Sequence, residues 1–208
     1  MKKLFLFISF SIFFLPLRSQ AQHNLRLSAG SGAFISNIDH WKLPYWDNGY
    51  EFHVGADYRI NDQIYLFLKT SYQKMLYDNG HVAIVEPMVV GYHSSIKGEN
   101  STLIDISTGT KLYMTRAFVS PYLAFGAGVL FIHQGKILVH NWIGAYKTGS
   151  DNLYDNTGQK YQLGEVNFGM GMEFAILHQL HLDFNIKIIR AFYGPIYVPV
   201  TTSLIFKL

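Results

Sequence analysis

The stretch YEFHVGADYRI, residues 50–60, decides the fold of this chain because its apolar and polar residues alternate strictly. Every even position is apolar or aromatic, whereas the odd positions are polar, charged or glycine, among them Glu51, Asp57 and Arg59. Successive side chains of a β-strand point to opposite faces, so the stretch predicts a strand with one apolar and one charged face. The pair Asn61-Asp62 that follows favours a turn.

Seven other segments show the same period of two, and their apolar residues lack the i, i+3, i+4 spacing of an amphipathic helix. They are residues 25–35, 63–73, 104–112, 122–131, 165–174, 180–188 and 198–208. In segment 122–131 the polar face carries the small residues Ala124, Gly126 and Gly128, which we expect to leave room for longer side chains from the opposite wall. The segments are close to the 9–11 residues that a tilted strand needs to cross a bilayer.

Residues 1–21 are predicted to be a signal peptide that is cleaved after Ala21. Lys2 and Lys3 form its positive start, and residues 4–17 form an apolar core that is shorter than the roughly 20 residues of a membrane-spanning helix. We therefore expect residues 22–208 to be exported and to form one β-barrel domain.

Composition narrows the class of protein further. The chain has 17 Lys and Arg against 14 Asp and Glu, but three of the basic residues leave with the signal peptide. The mature chain is then neutral, which gives no support to a nucleic-acid partner. The chain has no cysteine, so disulfides, thiolate ligands, a thiol nucleophile and a lipid-modified cysteine are excluded.

The balance of aromatic and charged residues favours a membrane protein. Aromatic residues make up 16% of the chain and charged residues only 15%, whereas a soluble domain has about 25% charged residues. No mature segment is long and apolar enough for a membrane helix, and a closed barrel is the other structure that can span lipid. The alternative is a water-soluble barrel of the lipocalin kind, which alternates in the same way but has its apolar face inside.

The lengths of the connections predict eight strands. Short connections lie near residues 61–63, 115–118 and 177–179. Long polar ones lie near residues 36–49, 74–102 and 134–160, with a fourth, shorter one at residues 194–196. Outer-membrane barrels have short periplasmic turns and longer extracellular loops. The chain is therefore predicted to be all-β and to form a transmembrane antiparallel up-and-down barrel of eight strands.

The apolar segment 82–95 complicates this count. Its Pro87 lacks the N–H that an interior strand donates, so we place the segment in the second long loop. Ten strands, with a further one within residues 134–146, are the alternative.

Two motifs resemble those of the small outer-membrane barrel superfamily that includes the OmpA transmembrane domain and the OmpX-like proteins. SPYLAFGAG, residues 120–128, looks like its Pro-Tyr-x-x-x-Gly-x-Gly strand opening, and GADYRIND, residues 55–62, looks like one of its strand-into-turn elements. The C-terminal TSLIFKL, residues 202–208, is similar to the signal that the outer-membrane insertion machinery reads, although it ends in Leu208 rather than an aromatic residue. The resemblance covers the mature chain and implies an outer-membrane location in a Gram-negative bacterium, but no activity.

The charged faces of the strands are predicted to line the lumen. Six acidic and six basic side chains fall on them: Arg26, Glu51, Asp57, Arg59, Lys69, Asp105, Lys111, Glu165, Glu173, Asp183, Lys187 and Lys207. Buried charges need partners, and the interior of an eight-stranded barrel is narrow enough for side chains to fill. We expect a structural network of salt bridges that closes the lumen, with an ion path as the alternative.

The chain carries no pattern that predicts catalysis, a cofactor or a metal. His93-Ser94-Ser95 has residue types of a lipid A deacylase, but it lies in a predicted loop and the Ser-Asn-Ala element of those enzymes is absent. The cluster Asp151, Asn152, Asp155 and Asn156 lacks the spacing of a known calcium loop. The histidines form no His-x-His or His-x-x-x-His pair.

All three tryptophans fall in predicted loops, and exposed aromatic residues are typical of contact surfaces. Trp41, Tyr45, Trp46 and Trp142 are therefore candidate extracellular contact residues, with mutual packing or an aromatic girdle at the membrane surface as the alternative. The leading hypothesis is a structural or partner-binding barrel, and the alternatives are a narrow channel and a lipid A-modifying enzyme. The expected partners are outer-membrane lipids and lipopolysaccharide, the insertion machinery during assembly, and a larger outer-membrane protein complex.

Overall fold

The computed structural model describes residues 24–35, 46–78, 92–143, 146–147, 152–153 and 157–208. The strands are β1 (Leu25–Ile35), β2 (Trp46–Arg59), β3 (Ile64–Tyr77), β4 (Tyr92–Gly98), β5 (Ser101–Tyr113), β6 (Val119–His133), β7 (Ile137–Ile143), β8 (Tyr146–Lys147), β9 (Asn152–Leu153), β10 (Lys160–Ala175), β11 (Leu180–Ala191) and β12 (Ile196–Lys207). Within these residues no helix has the length and apolar character needed to cross a membrane.

Eight of the strands close into a barrel in the order β1-β12-β11-β10-β6-β5-β3-β2. All neighbouring pairs are antiparallel, and β1 closes the barrel against β12 with Arg26 opposite Lys207 and Ile35 opposite Val198. Closure gives every barrel strand a hydrogen-bonded neighbour on both sides, as lipid requires. The prediction of an eight-stranded up-and-down barrel is confirmed.

The remaining strands form a second sheet, in which β7 pairs with β4, β8 and β9. The alternative of ten spanning strands is wrong, because β7, the strand within residues 134–146, pairs outside the barrel wall. β4 takes up the end of the apolar segment 82–95, and residues 82–91 lie outside the described residues. We call β4, β7, β8 and β9 the outer sheet.

Three tight turns lie at the same end of the barrel as the start of β1 and the end of β12, at residues 60–63, 114–118 and 176–179. In the first of them Asn61 Oδ1 accepts hydrogen bonds from the backbone N–H groups of Gln63 (2.9 Å) and Ile64 (2.8 Å). A side chain that replaces backbone partners in this way explains why so few residues reverse the chain. Short turns mark the periplasmic end, so the outer sheet lies on the extracellular side.

The apolar face of each barrel strand points outward. Phe52 and Leu68 are both 56% exposed, whereas their neighbours in sequence on the other face are buried or half-buried. A soluble barrel would have the opposite arrangement, with its apolar face inside. The outward face is therefore the one that contacts lipid.

Replacing Leu68 by arginine should destabilise the barrel by about 2–4 kcal/mol, because the side chain points outward near the middle of β3 and would place a charge in the hydrocarbon region. Urea-dependent folding into phospholipid vesicles measures this loss. Ile60→Arg is the matched control, since Ile60 is equally exposed but lies in a periplasmic turn, where the cost is about 0–1 kcal/mol. Equal losses for the two variants would contradict the assignment of the lipid face.

Candidate functional site

The interior of the barrel contains several buried charged side chains, and Arg26 lies in its periplasmic half. Arg26 Nη1 donates to both carboxylate oxygens of Glu173 at 2.9 Å, and Nη2 donates to Asp57 and to the hydroxyl of Tyr113 at 2.8 Å. The guanidinium also lies 4.3 Å above the ring of Tyr65. Hydrogen bonds to charged partners from several sides are what a buried guanidinium needs.

Further side chains complete this group, which we call the periplasmic charge cluster (Arg26, Asp57, Lys111, Tyr113, Glu173 and His181). Lys111 Nζ lies 2.8 Å from Asp57, and His181 Nδ1 lies 2.8 Å from Glu173. The Tyr113 hydroxyl donates to Glu173 as well. Each of the two carboxylates therefore has at least two donors.

A second group surrounds Glu51, nearer the extracellular end. Lys69 Nζ lies 2.6 Å from Glu51 Oε1, and Gln73 donates to the other oxygen at 3.2 Å. His53 Nδ1 lies 3.1 Å from Glu51, and its Nε2 lies 2.8 Å from the hydroxyl of Ser203. We call Glu51, His53, Lys69 and Gln73 the Glu51 cluster.

The twelve predicted lumenal charges do not all form ion pairs. Six of them pair in the two clusters, whereas five make no ion pair within the described part of the chain: Asp105, Glu165, Asp183, Lys187 and Lys207. Neutral groups contact three of these five. Ser71 and Ser107 donate to Asp105 at 3.4 Å, Asn167 donates to Glu165 at 3.5 Å, and the Tyr122 hydroxyl donates to Asp183 at 2.9 Å.

Arg59 requires a correction. We expected it in the lumenal network, but it pairs with Asp62 in the periplasmic turn, and 41% of its side chain is exposed. The reason is its place at the last residue of β2, where an inward-pointing side chain has already reached the mouth of the barrel. Its charge is neutralised in water and not inside the lumen.

Apolar side chains fill the extracellular end of the lumen, and the sequence reasoning missed them. This apolar plug consists of Phe34, Trp46, Met75, Leu103, Leu130, Ile132, Ile137, Ile189, Ala191 and Tyr197. The rings of Phe34 and Tyr197 meet edge to face, with centroids 5.8 Å apart. Strand parity could have revealed the plug, because Phe34, Leu103 and Ile189 lie on the same faces as Arg26, Asp105 and Lys187.

Trp46 also requires a correction, because we predicted it to be an exposed contact residue. It is fully buried in the plug, and its Nε1 donates to the backbone carbonyl of Glu99 at 2.7 Å. A shift of register between Trp46 and Gly49 in β2 accompanies its position there. Trp142 is half-buried in β7, and Trp41 and Tyr45 lie outside the described residues.

A small cavity lies between the periplasmic charge cluster and the Glu51 cluster. This cavity of about 30 Å³ is lined by residues that include His53, Lys69, Lys111, Asp183 and Lys187. This volume holds about two water molecules. At Gly126 an added Cβ would lie 2.8 Å from the ring of Phe67, so this small inward residue makes room for a longer side chain. That side chain comes from β3, two strands along the wall, and not from the opposite wall as predicted.

Among the residues that the structure describes, the other sequence candidates do not come together as a catalytic or metal site. Ser94 lies on β4, and its hydroxyl donates to the side chain of Asn141 on β7 at 3.0 Å. Asn152 lies in β9, whereas Asp151, Asp155 and Asn156 lie outside the described residues. Where the structure describes the chain, no group of three or more His, Asp or Glu side chains could hold a metal ion.

Three solved structures have a similar fold. Neisserial surface protein A has a TM-score of 0.50 and 15% identity, over 88% of this chain and 97% of that one. Ail, the attachment invasion locus protein of Yersinia pestis, has a TM-score of 0.51 and 14% identity, over 88% of this chain and 99% of that one. A major outer membrane protein from Thermus thermophilus has a TM-score of 0.52 and 10% identity, over 88% of this chain and 99% of that one. At these identities the likeness concerns the fold alone.

Sequence comparison gives the family. No curated protein sequence matches the chain. The family described as outer membrane protein beta-barrel domain matches residues 5–201, which is nearly the whole chain. Together with a closed eight-stranded barrel and an apolar outer face, this match shows that the chain belongs to the outer-membrane β-barrel family and resides in the outer membrane.

Proposed function

We propose that this protein is a non-enzymatic outer-membrane barrel with a closed lumen, and that it acts through its extracellular part by binding a partner. The observation that carries the proposal is the filling of the interior. The apolar plug lies above the Glu51 cluster, and the periplasmic charge cluster lies below it. An ion entering from outside would first have to displace buried apolar side chains.

The charge clusters support a closed lumen for a second reason. Arg26 bonds directly to both Asp57 and Glu173, and each of the three side chains is at most 3% exposed. Separating such buried partners leaves unpaired charges, which costs several kcal/mol per ion. The ion pairs of the two clusters are therefore expected to stay formed and to keep water from passing through the lumen.

The outer sheet is the part best placed to bind a partner, because it is attached to the barrel by well-defined contacts. Next to the ends of β4 and β7, the carbonyl of Glu99 accepts from Trp46 Nε1 of β2 at 2.7 Å, and the Gly135 N–H donates to the hydroxyl of Ser101 of β5 at 2.9 Å. The side chain of Ile137 belongs to the apolar plug. A surface held in place before binding loses little conformational entropy when a protein or a lipopolysaccharide headgroup binds to it.

The purified protein should show no stable conductance in planar bilayers and should admit no small sugars into liposomes. A filled interior of this kind contains no continuous column of water. A control verifies that the protein has folded and inserted, by the resistance of the barrel to unfolding in detergent. Without it, the absence of a current could also result from failed insertion. A large and steady conductance would contradict the closed lumen and favour the channel.

Co-purification from gently solubilised membranes should recover a partner. Loss of this partner when the outer sheet is replaced by a short turn would identify the outer sheet as the binding surface.

A further inference from the structure

A pocket of about 320 Å³ opens at the periplasmic mouth of the barrel, separate from the outer sheet. It lies between the turns at residues 114–118 and 176–179 and the end of β12. Four basic side chains line it, namely Arg116, His178, His181 and Lys207, and no carboxylate is among its lining residues. The pocket is therefore suited to an anion.

Glu173, a carboxylate that contacts two of the lining residues, is already bonded to other groups. It accepts two hydrogen bonds from Arg26 at 2.9 Å and one from Tyr113, whereas Arg116 Nη1 is 3.8 Å from its Oε1. Within the described residues Lys207 makes no ion pair at all. Arg116 is held in place by Tyr65, whose hydroxyl accepts from Nη2 at 3.0 Å, and by the ring of Tyr113, 4.4 Å from the guanidinium. At the pocket, the charge of Lys207 therefore remains available to a ligand, and Arg116 Nη1 is a fixed donor beside it.

Two buried nitrogen atoms at the pocket have no hydrogen-bond partner among the described residues. They are Arg116 Nη1 and His181 Nε2. His181 is 6% exposed, and its other ring nitrogen, Nδ1, lies against Glu173, so Nε2 is left without a partner at the pocket. Buried polar atoms are rarely left without partners, and a ligand with several oxygens would satisfy both nitrogens. One oxygen would accept from Arg116 Nη1. Because Nδ1 of His181 donates to Glu173, its Nε2 would accept from a protonated phosphate oxygen, or donate to an anionic one when the ring carries both protons.

The rim of the pocket is apolar. Phe118 is 69% exposed and Leu177 is 64% exposed, and both line the pocket beside the basic side chains. A guanidinium with an ammonium group favours a phosphate group, and an apolar rim at the membrane surface favours one that carries acyl chains. We propose that this pocket binds a phosphate group, either that of an inner-leaflet phospholipid or that of a soluble periplasmic phosphate.

The test uses the full mature barrel in nanodiscs of phosphatidylcholine. In one arm inorganic phosphate is titrated and its binding is followed by the broadening of its ³¹P NMR signal. In the other arm phosphatidylglycerol is added to the nanodiscs, and its retention on the barrel after transfer to detergent is measured by native mass spectrometry. Binding in the first arm supports a soluble phosphate, and retention of phosphatidylglycerol above phosphatidylcholine supports a lipid headgroup.

Arg116→Gln and Lys207→Gln should each weaken the binding by about tenfold, because each removes a charge-assisted contact to phosphate. The matched control is Lys160→Gln, which removes an exposed charge at the extracellular end of β10. Lys207 is half-exposed and outside the periplasmic charge cluster, so its variant keeps the test valid even if Arg116→Gln folds poorly. Failure of both probes to bind, or equal binding by the wild type and the Lys207 variant, would overturn the proposal.

Discussion

Replacing Arg26 by alanine should lower the free energy of unfolding by about 3–5 kcal/mol, which is the effect of removing one partner from a buried ionic group. Glu173 would lose two hydrogen bonds at 2.9 Å, and Asp57 would lose one at 2.8 Å and keep Lys111 as its only charged partner. Both carboxylates are at most 3% exposed, so water could not replace the guanidinium without rearrangement. Urea titration of the barrel in phospholipid vesicles measures the loss.

Arg59→Ala is the matched control for this experiment. Arg59 also pairs with an aspartate, but that pair is exposed at the periplasmic turn, where a salt bridge contributes about 0–1 kcal/mol. In a double-mutant cycle, adding Glu173→Gln to Arg26→Ala should recover part of the loss, since the carboxylate no longer carries a charge. A loss below about 1 kcal/mol for Arg26→Ala would mean that the periplasmic charge cluster is not a unit of stability.

Replacing Trp46 by alanine should destabilise the barrel by about 3–5 kcal/mol and open the extracellular end of the lumen. The substitution removes the largest side chain of the apolar plug and leaves the carbonyl of Glu99 without its donor. Because the chain has no cysteine, a single Gln73→Cys substitution can report access to the buried Glu51 cluster. A membrane-impermeant thiol reagent should modify this cysteine much faster in the Trp46→Ala background.

Trp142→Ala provides the comparison, because it removes the same side chain from a half-buried position in the outer sheet. It should cost less stability and should leave the cysteine at position 73 protected. Rapid modification of that cysteine in the otherwise wild-type barrel would contradict the plug. Equal modification in both tryptophan variants would show that Trp46 has no special part in closing the lumen.

The alternation of residues was sufficient to predict the wall of the barrel. Each side chain of a strand has only two possible directions, so a period of two places Phe52 and Leu68 on one face and Glu51 and Asp57 on the other before any contact is known. The signal peptide, the low fraction of charged residues and the strand length then favoured lipid over a soluble interior for the apolar face. Turn residues such as Asn61 act through bonds to the next two or three residues, and such bonds are visible in the sequence. The fold class and the eight strands follow from these local rules.

The partners inside the barrel could not be predicted in the same way. Arg26 and Glu173 are 147 residues apart, and they meet only because closure places β1 and β10 around the same narrow interior. Strand parity predicts that a side chain points into the lumen. It does not predict the position of that side chain along the barrel axis or its partner on another strand. This is why Lys187 was expected in an ion pair and forms none among the described residues.

The sequence by itself determined which residues alternate and where the chain turns tightly, because strand geometry and turn chemistry are local. Its low fraction of charged residues favoured lipid as the surroundings of the apolar face, and the exposure of Phe52 and Leu68 confirmed it. Only the tertiary structure decided that Trp46 is buried, that Arg59 pairs with Asp62 outside the lumen, and that Arg116 and Lys207 line one pocket. These outcomes depend on the register of pairing and on the height of each residue along the barrel axis. Both quantities are set by closure of the whole sheet and not by any single strand.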